Sequence, residues 1–449
     1  MPFIDDDKLA QIHKSLDEAT AKIEEAQSLL PPVTPPSDDI IVNPGDNVQS
    51  ILDTASAGAR LLFQNSARYV VGTLHLTKPV TLQAMQCPDG RIPADYPVPV
   101  LASGYLDKTI DGTDSKLVTI KGLGFEARSN GEGEIIVLQD ADTILLDKLL
   151  IFGGPNGQKR AIRGNGKNIT LTDSYIANIW KLGQDSQCFC AWDGAGPYAI
   201  KNNFLEAASE NIMFGGADNP SEDRIPSDIV ISKNDFSKNT AWGKTGKNIK
   251  NLIEFKMAIR VLVSENHFAH CWTDGQTGYG WLIKSANQDG SNPWAVTKDV
   301  LFENNILEDS ENGINIQGHD PNNPSGITTN IQFKNNLVKC KGTALQFGGG
   351  GVYECTHNTF ENGYTLVSLY GPKVENFKYL NNKGNHNDYG VKGDGTGIGI
   401  PALNAFCTTW TFSQNLMLNR VPGRGGTYPP DNWFKTEDVP PGVVVGRIE

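Results

Sequence analysis

The chain reads "VLVSENHF" at residues 261–268, "VLFENNIL" at 300–307 and "IQFKNNLV" at 331–338. One phrase, apolar-x-apolar-x-x-Asn-x-apolar, returns in all three. Indexing each copy on the position of Asn266 gives the series Leu123, Leu149, Ser174, Asn203, Asn234, Asn266, Asn305, Asn336, Asn358, Asn382 and Asn415. The intervals are 26, 25, 29, 31, 32, 39, 31, 22, 24 and 33 residues. Irregular spacing above a floor describes a coil of fixed size with insertions at its corners, and a period in this range decides a fold.

The flanking columns support that reading. Three residues before each marker stand Ile120, Leu146, Leu171, Ile200, Ile231, Val263, Phe302, Phe333, Cys355, Tyr379 and Phe412. Two residues after it stand Phe125, Ile151, Ile176, Leu205, Phe236, Phe268, Leu307, Val338, Phe360, Gly384 and Met417, so only Gly384 breaks the apolar rule. Strand alternation puts the first and third positions of the phrase on one face, and the marker then ends the strand as a turn residue. Asn suits a turn because it tolerates left-handed backbone, and stacked amides can bond one another, here from Asn203 onward. A second strand follows in each coil, as in "NIMFGG" (211–216), "NLIEFK" (251–256), "GWLIKS" (280–285), "GINIQG" (313–318), "TALQFG" (343–348) and "TLVSLY" (365–370). Several short strands per coil, each pairing with its copy in the next, make an all-β parallel solenoid. A propeller would have longer and more even repeats.

These repeats resemble those of the right-handed parallel β-helix superfamily that includes pectate lyases and phage tailspikes. "GDNVQSILDTASAGARLLFQNSARYVVGTLHLTKPVTLQA" (45–84) is similar to the usual start of that fold, a short capping helix followed by the first coil. The resemblance spans roughly residues 40–440 and implies the fold. It implies no single chemistry, since the superfamily holds lyases, hydrolases, isomerases and inert spikes.

The expected organisation is a helix at 1–30, a Pro-rich linker at 31–39, a β-helix at 40–383 and an irregular cap at 384–449. In the first segment Leu9, Ile12, Leu16, Ala19, Ile23, Ala26 and Leu30 form a heptad seam, and "PPVTPPSDD" after it is a stiff spacer. Helix, spacer and solenoid together describe an appendage anchored in a larger particle, with a homo-oligomer, a trimer above all, in view. The acidic start "MPFIDDDKLAQ" does not read as a signal peptide, and no apolar run has the length of a membrane span. A net charge of −12 argues against a nucleic-acid partner. The cysteines (Cys87, Cys188, Cys190, Cys271, Cys340, Cys355 and Cys407) are odd in number and lack paired metal spacing, so they read as buried free thiols. Cys271 and Cys340 fall two coils apart, beyond disulfide reach.

The longest insertions lie between Ser174 and Asn336, so those loops give the deepest relief. Aligned second strands place Gln139, Arg163, Trp192, Gly215, Lys256, Lys284, Gln317, Gly348 and Tyr370 in one outward column. In the resembling lyases the groove over this type of strand holds a uronate polymer, a basic residue takes the proton α to the carboxylate, and calcium neutralises the acid. By that likeness Lys256 or Lys284 is the base or the neutralising cation. Asp218, Glu254 and Asp289 are the carboxylate candidates, either as calcium ligands or, two of them, as the acid and base of a glycosidase. Arg163, Trp192, Asp218, Arg260, Asn287, Gln317 and His319 are the candidate substrate contacts. Trp180, Trp192, Trp272, Trp281 and Trp294 are either sugar platforms or core. No cofactor is required, and calcium is the only one the reading admits. The chain lacks the family's catalytic Arg motif and its clustered Asp ligands. The leading expectation is therefore a virion-associated spike protein that recognises a cell-surface polysaccharide and can depolymerise it. A free polysaccharide lyase or glycoside hydrolase, and a structural decoration protein without a ligand, are the alternatives.

Overall fold

The computed structural model describes residues 39–103 and 108–448, together with Lys14, Glu18, Ala21, Lys22, Glu25 and Ser28, which are helical and exposed. The heptad seam and the proline spacer up to residue 38 lie outside the described residues. The chain divides into two compact units, one of residues 1–213 and 223–248 and the other of 214–222 and 249–449.

The first unit starts with strand Asp39–Val42, which pairs in parallel with Ala59–Phe63 across the short helix Val48–Thr54. Asn47 caps that helix by accepting from the Ser50 N–H. Every further strand pairing given for the unit is parallel. Ile120 pairs with Leu146, Leu146 with Leu171, Leu171 with Ile200 and Ile200 with Ile231. The other apolar column runs Phe125, Ile151, Ile176, Leu205, Phe236 in the same way. Coils with Leu61, Leu82, Tyr69 and Leu101 precede the first marker and carry no version of the phrase.

The second unit repeats the plan. Val263, Phe302, Phe333, Cys355, Tyr379 and Phe412 pair in sequence. So do Phe268, Leu307, Val338, Phe360, Gly384 and Met417. Inside the coils the rings of Trp281, Phe302 and Phe333 stack, with centroids 4.7 and 5.4 Å apart. Gly384 fits because Leu366 fills its place, and a Cβ there would come within 2.4 Å of Leu366 Cδ1. All seven cysteines are free thiols, and Cys271 and Cys340 are buried on strands separated by the one carrying Ser310.

The markers are buried rungs of a hydrogen-bonded ladder. In the second unit Asn266, Asn305, Asn336, Asn358, Asn382 and Asn415 each donate both backbone N–H and side-chain Nδ2 to the Oδ1 of the next rung. The last acceptor is Asn432, only 17 residues beyond Asn415 and so too close to be a coil of its own. It is supplied by the folded-back terminal segment. In the first unit the ladder starts one coil earlier than expected. Ser174 Oγ accepts from the Leu149 N–H, and the Ser174 N–H donates to Asn203 Oδ1.

One expectation is corrected. The left-handed residue of each turn is not the marker but the residue before it. Lys148, Asp173, Asn202 and Lys233 in the first unit have φ between 53° and 57°. Glu265, Asn304, Asn335, His357, Asn381 and Gln414 in the second have φ between 54° and 58°. The marker's amide is needed inside the coil, so the neighbour that turns the chain points outward and carries the strain.

The terminal coils are closed by helix Ile400–Phe406 and by a polar network around buried His386. Its Nδ1 lies 2.8 Å from Asn387 O, and the Tyr428 hydroxyl lies 2.9 Å from its Nε2. Residues 446–448 then cross three coils, bonding Asn381 O, Thr359 Oγ1 and the Asn335 amide in turn.

Two outcomes follow. Asn415→Ala removes the acceptor for two donors and both side-chain donations, to Tyr379 O and Asn432 Oδ1. It should lower the unfolding free energy in urea by roughly 2–4 kcal/mol. Gln414→Gly, one residue earlier, relieves a left-handed non-glycine and should change it by less than about 1 kcal/mol. Equal effects at the two positions would contradict the ladder. Burial holds the His386 imidazole below its ordinary pKa. The unfolded chain therefore takes up the proton first as pH falls below about 6.5, and stability is lost from there downward. The melting temperature should drop on acidification below that point, and less steeply in His386→Gln.

Candidate functional site

In the second unit Phe255 pairs with Ile283 and both point into the coil. Their sequence neighbours therefore face outward. Lys256 and Lys284 follow these two residues, and Glu254 precedes Phe255 beneath them. The Glu254 side chain is 0% exposed, and its Oε1 lies 3.4 Å from Lys284 Nζ and 3.7 Å from Lys256 Nζ. A carboxylate thus stands between two ammonium groups, where the sequence placed two like charges side by side. The row is held by Coulomb attraction at partial burial, where charges are less screened than in water. Because Glu254 is covered, the lysines are the groups that can touch a ligand.

The row continues in register. Lys284 pairs with Gln317, Gln317 with Gly348 and Gly348 with Tyr370. Gly348 is required here because the Tyr370 ring lies across it. A Cβ would meet that ring at 2.7 Å. Burial raises the Tyr370 hydroxyl pKa. The Tyr279 hydroxyl donates to Gln346 Oε1 at 2.5 Å, and burial raises its pKa as well. Both phenols are therefore neutral donors at ordinary pH, and the face joins fixed amides to aromatic rings.

A wall rises directly after Lys284. Asn287 is buried and organises the loop, accepting from Gly290 and Asn292 and donating to Asp320 and Pro324 O. Asp218 Oδ2 accepts from the N–H groups of Asp289 and Ser291 and from the Ser291 hydroxyl. Asp289 is exposed at the tip, and exposed His319 begins the neighbouring loop. Arg260 belongs to the following strand, Ala258–Ser264, in a left-handed column with Asp299 and Asn330. Among the expected residues, Lys256, Lys284, Glu254 and Gln317 share one face, while Asp218, Asn287 and Asp289 build the wall.

Arg163 and Trp192 lie in the first unit. Arg163 pairs with Val137 and Cys190, one outward position earlier than the sequence alignment placed it. Asn165 takes the expected place, bonding Gln139 Oε1 and accepting from the Trp192 N–H. Trp281 is core, and the other four tryptophans named above are half-buried. The unit also holds a cluster that the sequence did not reveal. Arg224 bonds both Asp193 and Asp140, and Gln139 donates to Asp193 at 2.9 Å. Arg224 holds the Asp140 carboxyl below its usual range, so Asp140 is ionised and fastened rather than poised as an acid.

Asp218 is bonded to its own loop and Glu254 faces two ammonium groups. Among the described residues no group of three or more His, Cys, Asp or Glu side chains is arranged to hold a metal ion. No helix is long and apolar enough to cross a membrane.

No family model matches the sequence, and no curated protein does either. Solved structures do. The catalytic unit of a thermostable GH87 α-1,3-glucanase from Streptomyces thermodiastaticus aligns at a TM-score of 0.52 with 12% identity, over 90% of this chain and 71% of that one. An exopolygalacturonase from Thermotoga maritima aligns at 0.45 with 10% identity, over 79% and 91%. The Dettilon tailspike protein aligns at 0.46 with 9% identity, over 88% and 70%. Together with the parallel registers, the likeness to the glucanase unit shows a right-handed parallel β-helix fold.

The row gives a stability test. Glu254→Gln leaves two partly covered ammonium groups facing each other and should cost roughly 2 kcal/mol. In a Lys284→Gln background the cost should shrink, and the double-mutant cycle measures the coupling. A coupling of zero would show that the ion pairs do not hold the row.

Proposed function

We propose that this chain is the polysaccharide-recognising β-helix of a virion-type spike, and that the outer strand face of its second unit holds the glycan. The observation that carries this reading is the row of Lys256, Glu254 and Lys284, continued in register by Gln317 and Tyr370. A sugar chain needs fixed hydrogen-bond partners and flat apolar surface, and this face supplies both on successive strands about 4.8 Å apart. Four strands beyond Leu282, in the order Asn315, Gln346, Ser368, Lys392, the last lysine completes the face. Its Nζ lies 5.2 and 5.1 Å from the Tyr364 and Tyr389 ring centres, and Tyr364 is 44% exposed. The cations thus bracket roughly 19 Å of surface, counting strand spacings.

Recognition suits the geometry better than lyase chemistry. A lysine acting as base must give up the charge that holds it against Glu254, and Glu254 itself is covered. The spike assignment is supported by the heptad seam and proline spacer of residues 1–39, which describe an anchor rather than part of a free enzyme.

The test is a glycan array probed with the whole chain. The wild type should bind a defined set of surface polysaccharides, and Lys284→Gln with Tyr370→Phe should weaken it roughly ten- to a hundredfold. Undiminished binding by the double variant would remove the site from this face. Ultraviolet absorbance from unsaturated uronates, or new reducing ends, would instead make the protein a depolymerase. Deleting residues 1–38 should abolish incorporation into the particle while leaving glycan binding intact.

A further inference from the structure

The first unit carries two arginines of unequal standing. Arg160 and Arg163 share the strand Arg160–Thr172, and both guanidinium groups lie over the Trp192 ring, 5.5 and 5.7 Å from its centre. Arg160 is fully engaged. Its Nη1 donates to Glu134 Oε1 at 2.5 Å and its Nε to Gln187 Oε1 at 2.9 Å, while Gln187 donates onward to buried Glu210. Arg163 approaches the same Glu134 only to 3.6 Å, beyond hydrogen-bond distance. Its Nε is covered yet has no hydrogen-bond partner among the described residues.

An arginine that only braces the fold is hydrogen-bonded, as the unit's other arginines show. Arg91 bonds Asn202 and Asp235, and Arg224 bonds Asp140 and Asp193. Arg163 is instead held in place by stacking on an indole, with its planar fork of donors left over. The carboxylate that could have bonded it is committed to Arg160. A half-covered guanidinium fork with unused donors is matched bidentately by a flat or tetrahedral oxyanion.

We infer that Arg163 is an anion-reading residue, and that the polymer this chain recognises carries oxyanion groups, carboxylate or sulfate, on its sugars. The inference rests on the polysaccharide reading above but on a different unit and different residues. Trp192 acts as the positioning residue that fixes the fork.

The experiment titrates the whole chain with polygalacturonate, carboxyl-reduced polygalacturonate, dextran sulfate, neutral dextran and a panel of acidic and neutral bacterial surface polysaccharides. It compares wild type, Arg163→Gln and Arg163→Lys, each checked for an unchanged melting temperature. The wild type should bind acidic polymers, with affinity falling as salt rises. Arg163→Gln should weaken that binding roughly ten- to a hundredfold, the range for hydrogen bonds to a charged group. Arg163→Lys should recover only part, because an ammonium lacks the fork. A response confined to polygalacturonate assigns carboxylate, and one confined to dextran sulfate assigns sulfate. Equal binding of acidic polymers by wild type and Arg163→Gln, or binding of neutral polymers alone, overturns the inference and leaves the polysaccharide reading standing. Absence of binding to every polymer overturns both.

Discussion

The amide ladder is the constraint on which the rest of the molecule depends. From Asn305 to Asn415 each marker Oδ1 takes two donors from the rung before it, and the rungs are almost fully buried. A buried carbonyl or N–H without a partner costs about 1–3 kcal/mol, so one rung cannot shift without unpairing two coils. The ladder therefore fixes where the coils that carry it turn. Added residues can enter only at the other corners, which is why intervals range from 22 to 39 while the strand columns keep their register. The loops free to lengthen are the ones that build relief beside the outward face.

Register then does for the site what the ladder does for the fold. Alternation turns every second residue outward, and parallel pairing stacks those residues in columns. A sequence change at one column position thus alters one rung of a surface and little else. The two units use this in the same way. In the first, Glu134 stands between Arg160 and Arg163. In the second, Glu254 stands between Lys256 and Lys284. One carboxylate between two cations orders both side chains, and in the second unit the trio keeps a net positive charge on an outer strand face, within a chain whose overall charge is −12. Two bare cations would repel, and a balanced pair would offer a ligand nothing.

The strand columns were legible to the residue because burial imposes them on every coil, from Ile120 through Phe412. What failed to show in the sequence was set by less regular forces. The turn residue was misread by one position, since Asn favours both the left-handed region and a buried ladder, and only packing decides which. Arg163 was misaligned because its strand, Arg160–Thr172, offers two successive outward positions, Arg163 and Asn165, and only the pairing of Arg163 with Val137 decides between them. Asn432 closes the ladder from a folded-back segment and so breaks the spacing rule. The Arg224 cluster joins residues 84 and 31 positions away, a closeness that no local pattern encodes.

A fold shared by lyases, hydrolases and spikes leaves chemistry to the placement of charge. Proton abstraction needs a group that can be uncharged and reach a substrate. In the second unit the carboxylate of the row, Glu254, is sealed beneath its lysines, and each lysine is tied to it. Among the described residues of the first unit, the carboxylates Asp140 and Asp193 are tied to Arg224. In both places the strongest electrostatic arrangements are closed pairs, which hold shape and resist proton transfer. What they leave open to solvent is donors on lysine, arginine, amide and phenol. On the proposed reading, such a surface grips an acceptor-rich polymer through these donors.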